Sequence, residues 1–196
     1  MSAFEDSAWL EFRDLSSINI IGVSTGMLDG QGEASYGRSG CHNAGGKCKN
    51  YPITLKIAKF SGGTINNIAL VNSKGFHMNF LMINDILVQD LNIIAPNKSP
   101  NTDGIHISQS TNINITSSTI SVGDDCISIG PGSNNIFISK IICGPGHRIS
   151  SSMACENVVL ANIDLKYILP DGPATSTCTN VKGISIAGME NPQPCS

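Results

Sequence analysis

The chain has 196 residues and a formal net charge of −3, and its 12 Lys and Arg are scattered rather than clustered, which argues against nucleic acid as a partner. Only 14% of residues are charged, yet no apolar run approaches the length of a membrane span, and the chain is long enough to bury one core of useful size. Twenty glycines beside 5% aromatic residues fit a fold with many turns and little room for bulky rings.

In chain order, Met1-Ser2-Ala3-Phe4-Glu5-Asp6 lacks the basic region and apolar stretch of a secretory leader. Trp9-Leu10-Glu11-Phe12 reads as an early strand. An Asn or Asp followed by an aliphatic residue then opens each of a series of repeats: Asn19-Ile20, Asn67-Ile68, Asp85-Ile86, Asn112-Ile113, Asn135-Ile136 and Asn157-Val158. The intervals are 48, 18, 27, 23 and 22 residues, the first being about two repeats. Such a period belongs to solenoid arrays. Within the repeats, Ile113-Asn114-Ile115, Ile127-Ser128-Ile129, Ile136-Phe137-Ile138 and Val158-Val159-Leu160 alternate between turn formers, as short strands do. No segment sustains apolar residues at i, i+3, i+4 and i+7, and the Leu/Asn consensus of leucine-rich repeats is missing. The expected fold is therefore all-β, a right-handed parallel β-helix occupying residues 1–196 as one domain.

Three strings stand out on this frame: Asn101-Thr102-Asp103-Gly104, Gly123-Asp124-Asp125-Cys126 and Cys143-Gly144-Pro145-Gly146-His147. Asp103 and Asp125 are 22 residues apart, as are Asp125 and His147. Residues one coil apart sit roughly 5 Å apart across a sheet, so these groups should form a three-rung column. Asn, Asp and Gly are also what solenoid turns use; what singles these out is their common phase together with two adjacent acids. Crowded carboxyls allow one to stay protonated while another is ionised, the pairing that cleavage of a glycosidic bond requires.

Seven cysteines are many for a reduced cytosolic protein without a metal site, and none lies in a Cys-x2-Cys array. Cys41 with Cys48, Cys126 with Cys143, and Cys178 with Cys195 are plausible local pairs, which leaves Cys155 over. Asn97-Lys98-Ser99 and Asn114-Ile115-Thr116 are glycosylation sequons, the first made poorer by the Pro100 that follows it.

In their order and distances the three strings resemble the polygalacturonases of plant cell-wall metabolism, most of all the pollen exopolygalacturonase type. Gly30-Gln31-Gly32 after Leu28-Asp29, Asn72-Ser73-Lys74 with Phe76-His77, and Val181-Lys182-Gly183 extend the likeness over nearly the whole chain. The resemblance implies a parallel β-helix that hydrolyses α-1,4 links between galacturonic acid units with inversion. It implies Asp124 as the general acid, Asp103 and Asp125 as the carboxylates that hold and activate the attacking water, His147 as support for the acid, and Asn101 as a residue that helps hold the site. It also implies a Cys126–Cys143 disulfide, pectin or polygalacturonate as the only partner of a monomer, no metal or cofactor, and a secreted, cell-wall location. The usual rule for closely spaced carboxyls predicts retention instead, so product stereochemistry separates the two expectations.

Departures from the family pattern shape a second expectation. Arg148 follows His147 where the family continues with Gly; its guanidinium is a candidate for holding a uronate carboxylate. No Arg lies beyond Arg148, so the family's cationic Arg-x-Lys pair is absent. From about residue 150 the chain passes straight into what resembles the final coils. That reads as coils deleted there, with an N-terminal cap missing as well. Losing charge-assisted contacts to a carboxylate costs about 1.5–3 kcal/mol each, so the expected activity is low or not measurable. The alternative class is a catalytically silent polygalacturonase-like fragment or pectin-binding β-helix. A pectate lyase fits less well, because neither a calcium site nor an Arg base is legible.

Overall fold

A computed structural model describes residues 8–23, 25–36, 51–146, 148–151, 155–166, 181–188 and 191–192. The elements are β1 (Ala8–Ile21), β2 (Met27–Asp29), α1 (Glu33–Tyr36), β3 (Ile53–Asn66), β4 (Ala69–Val71), β5 (Met78–Gln89), β6 (Asn92–Ile94), β7 (Ile105–Ser108), β8 (Thr111–Ser121), β9 (Ile127–Ile129), β10 (Asn134–Cys143), β11 (Ile149–Ser151), β12 (Cys155–Leu165), β13 (Val181–Lys182) and β14 (Ser185–Ala187). Every strand pair is parallel and every pairing joins one coil to the next, which makes the chain the expected right-handed parallel β-helix.

Alternation drives the winding. In β8 the inward positions Ile113, Ile115 and Ile120 are buried while their neighbours face out. Identical positions then stack coil on coil: Leu55, Met78, Ile105, Ile127 and Ile149 form one interior column, and Ile86, Ile113, Ile136 and Val158 another. β-branched side chains suit this arrangement because their restricted χ1 fits a pleated surface.

The long strands turn corners at left-handed residues. Asp85, Asn112, Asn135 and Asn157 have φ of 57°, 56°, 54° and 52°, a region that Asn and Asp tolerate best among residues with a side chain. Their amides form a ladder: Asn112 Nδ2 donates to Asp85 Oδ1 at 2.7 Å, Asn135 Nδ2 to Asn112 Oδ1 at 3.0 Å, and Asn157 Nδ2 to Asn135 Oδ1 at 3.1 Å. Four of the six repeat-opening residues thus share one corner. Asn67 does not: it takes the next corner, with Gly22 and Asp90, because Ile21, Asn66 and Gln89 are the residues in register. Asn19 lies within β1, opposite Thr64. The irregular 18-residue interval in the sequence is the trace of that change of corner.

After β11 the chain enters β12, which stacks on β10 with Ile136 opposite Val158 and Ile141 opposite Ile163. The coil of β12 is therefore in phase with that of β10. Because each coil contacts only its neighbours, a solenoid accepts a change in coil number as long as the phase is kept.

Candidate active site

The loops before β7 and β9 bring the acids together. Gly104 N–H donates to Asp125 O at 2.9 Å and Ile105 N–H to Cys126 O at 3.0 Å, so Asp103 and Asp125 occupy equivalent places on consecutive rungs. A Cβ on Gly104 would lie 2.5 Å from the Cys126 carbonyl, and one on Gly123 would lie 2.3 Å from that of Ser99. Glycine is what lets backbone meet backbone beside both acids. Thr102 ties these loops: its hydroxyl donates to Ser99 O at 2.9 Å and accepts Gly123 N–H at 3.2 Å. The Cys126–Cys143 disulfide, with its Cα atoms 6.0 Å apart, links the second acid loop to the end of β10.

Asp103 and Asp125 are each 8% exposed, whereas Asp124 is half-buried and accepts the Asp125 N–H on Oδ1 at 3.0 Å. Burial pushes the Asp103 carboxyl up to about 7. The nearby charges of Asp124 and Asp125 push the same way, against a hydrogen bond from Ser128 that favours the ionised form. Two serines serve the buried acids in the same manner. Ser128 Oγ donates to Asp103 Oδ2 at 2.6 Å, and Ser150 Oγ donates to Asp125 Oδ2, each serine 25 residues beyond its acid.

Arg148 Nε lies 3.3 Å from Asp125 Oδ1, while its side chain is 68% exposed. The cation singled out as a candidate substrate ligand is thus also a neighbour of one of the acids. Asn101 is half-buried with a φ of 54°, two residues before Asp103. His147 lies outside the described residues; the carbonyl of Arg148, which follows it, accepts Cys126 N–H at 2.9 Å.

Two other histidines flank the column. His77 is fully buried, and its Nδ1 lies 3.1 Å from the Asp103 carbonyl, which also accepts the His77 N–H at 2.9 Å. Its Nε2 accepts Ser73 N–H at 3.3 Å, so Nδ1 carries the proton, and burial pulls its pKa down to about 4. His106 is half-buried, stacked on Phe76 with ring centroids 4.9 Å apart, and its Nδ1 is 2.8 Å from Ser128 Oγ. Ser128, Ser150, His106 and Thr102 were missed by the sequence reading. The signal was there: Ile105-His106-Ile107, Ile127-Ser128-Ile129 and Ile149-Ser150-Ser151 are one string repeated every 22 residues, and its middle positions form the floor of the site. Among the described residues, no group of three or more His, Cys, Asp and Glu is arranged to hold a metal.

Carboxyls stacked on consecutive rungs of a parallel β-helix define the class to which the fold and site belong, a solenoid with an acid column. Comparison with known proteins specifies it further: the model of glycosyl hydrolases family 28 matches residues 3–154, and the chain belongs to that family. It is 43% identical over 151 residues to an exopolygalacturonase of Zea mays, covering 76% of this chain and 36% of the relative. A polygalacturonase of Gossypium hirsutum is 41% identical over 149 residues, again with 76% and 36% covered. The chain therefore spans about a third of the length of the curated relatives it matches. Among solved structures, the polygalacturonase of Erwinia carotovora superposes with a TM-score of 0.66 at 20% identity, covering 97% of this chain and 58% of that one. The endo-xylogalacturonan hydrolase of Aspergillus tubingensis gives 0.72 at 19%, covering 92% and 52%. At those identities the likeness speaks to the fold.

Proposed function

We propose that this chain hydrolyses α-1,4-galacturonosidic links of polygalacturonate with inversion. The observation that carries the reading is the set Asp103, Asp124 and Asp125 on adjacent rungs, with one member holding its proton up to about pH 7. Asp124, the more exposed of the three, protonates the leaving oxygen. Asp103 and Asp125 take the proton of a water that attacks the anomeric carbon from the opposite face. Asn101 and the exposed guanidinium of Arg148 line the same wall, Arg148 offers a uronate carboxylate a charged donor, and the family resemblance gives His147 the supporting role beside the acid. Without the family's Arg-x-Lys pair, turnover is slow.

The raised Asp103 favours a second allocation, in which Asp103 is the acid. Activated aryl galacturonides, which need no protonation of the leaving group, separate the two: they restore activity to Asp124→Asn in the first case and to Asp103→Asn in the second. NMR of fresh product tests the stereochemistry, with β-galacturonate at the new reducing end expected and initial α-anomer contradicting inversion.

For partner and place, we propose a monomer acting on pectin outside the cell. The plant relatives and a disulfide suited to an oxidising compartment support that reading. No helix among the described residues is long and apolar enough to cross a membrane.

A further inference from the structure

His106, Ser128 and Asp103 lie in one hydrogen-bonded line, His106 Nδ1 to Ser128 Oγ at 2.8 Å and Ser128 Oγ to Asp103 Oδ2 at 2.6 Å. The line exists because His106 and Ser128 are opposed across β7 and β9 while Asp103 lies three residues before His106. A serine hydroxyl has one proton. If it donates to Asp103, it accepts from His106, which then carries its proton on Nδ1. Asp103 is nearly sealed from solvent at 8% exposure, whereas His106 is only half-buried, so the histidine is the outer end of the line.

We propose that His106 and Ser128 form a proton relay through which the buried carboxyl of Asp103 exchanges its proton with solvent. The transfer balances without any other reactant. Nε2 of His106 takes a proton from water, Nδ1 gives its proton to Ser128 Oγ, and Ser128 gives its own to Asp103 Oδ2. Asp103 ends neutral and donating back to Ser128, Ser128 donates to Nδ1, and His106 has changed tautomer without gaining net charge. Loss of the proton from Asp103 reverses each step. His106 is thus a positioning residue: it acts on the reaction only through Asp103.

The groups around the line permit this. Asp124 and Asp125 face Asp103 from the loop before β9 and favour its neutral form, and Arg148 is engaged with Asp125. His77, on the β5 side, meets the Asp103 carbonyl rather than its carboxyl. Burial holds His106 below its ordinary pKa and so favours the neutral ring that the line requires. Phe76 fixes the ring plane by stacking.

The relay rests on the reading of Asp103 as one of the reacting carboxyls, and its test is independent of turnover. Ring-nitrogen NMR of His106 and carboxyl-carbon NMR of Asp103 are followed from pH 4 to 9 in the full chain. The expected result is one shared transition, with His106 passing from the Nδ1–H to the Nε2–H tautomer as Asp103 gains its proton. In Ser128→Ala the tautomer change disappears from that transition, and the Asp103 midpoint rises by about one pH unit with the lost donor. Ser128→Thr, which keeps a hydroxyl, preserves both. A His106 tautomer unchanged across the Asp103 transition in the wild-type chain overturns the relay, whether or not any variant folds. A silent chain on polygalacturonate with the coupled transition intact would defeat the proposed function and leave the relay standing.

Discussion

Asp85, Asn112, Asn135 and Asn157 climb the solenoid at nearly the same pitch as Asp103 and Asp125, in opposite surroundings. The first column is exposed, left-handed in backbone, and closed on itself by side-chain hydrogen bonds between successive members. In the second, the two carboxyls are buried and accept from serines, and the charge crowds onto Asp103. The repeat supplies both with position. Burial and partners separate the structural corner from the column proposed to react.

The largest expected effect breaks the comparison at the acid column. Asp124→Asn or Asp103→Asn should lower turnover of polygalacturonate by about 10²–10⁴-fold, read as reducing-end release, while Asn112→Ala leaves it unchanged at temperatures where that variant is folded. Removing the Cys126–Cys143 bond, which spans 17 residues, should cost about 3 kcal/mol. Denaturant unfolding of Cys143→Ser would check it; an unchanged midpoint would show that the clamp is dispensable.

At the ladder, Asn112→Ala loses its hydrogen bonds to both neighbours and puts Ala at a φ of 56°, for a cost of about 1–2 kcal/mol. Equilibrium unfolding of this variant at neutral pH should show the loss.

A subtler effect concerns pH. Asp103, raised from 3.8 to about 7, contributes stability that is present at low pH and lost as pH rises through 7. His77, lowered from 6.5 to about 4, contributes stability present above 6.5 and lost as pH falls toward 4. Between about pH 4 and 6.5 the two slopes oppose. In Asp103→Asn only the His77 slope remains, so stability should climb with pH across that window, and the variant should exceed the wild type above pH 7. A wild-type curve as steep as the variant's would refute the pairing.

The winding of the chain was legible because the aliphatic columns are a one-dimensional repeat. Ile113, Ile136 and Val158 announce their own register. The placement of the acids on consecutive rungs was legible for the same reason, and the family strings supplied the chemistry proposed for them. The split of the Asn signature into two corners was not, since Asn67 and Asn112 satisfy the same backbone need at different turns. The serines and His106 were hidden differently. Ser128 reads as an outward residue of an alternating strand, and only the closeness of the preceding loop turns it toward a buried carboxylate.

The central claim is that the acid column, and not the ladder of like residues beside it, performs hydrolysis. Reducing-end release from polygalacturonate by the wild-type chain, Asp124→Asn and Asn112→Ala tests it in one assay. Slow release by the wild type, matched by Asn112→Ala and abolished in Asp124→Asn, is the predicted result. Release undiminished in Asp124→Asn, or none from a folded wild-type chain that still binds the polymer, would contradict it and favour a binding solenoid.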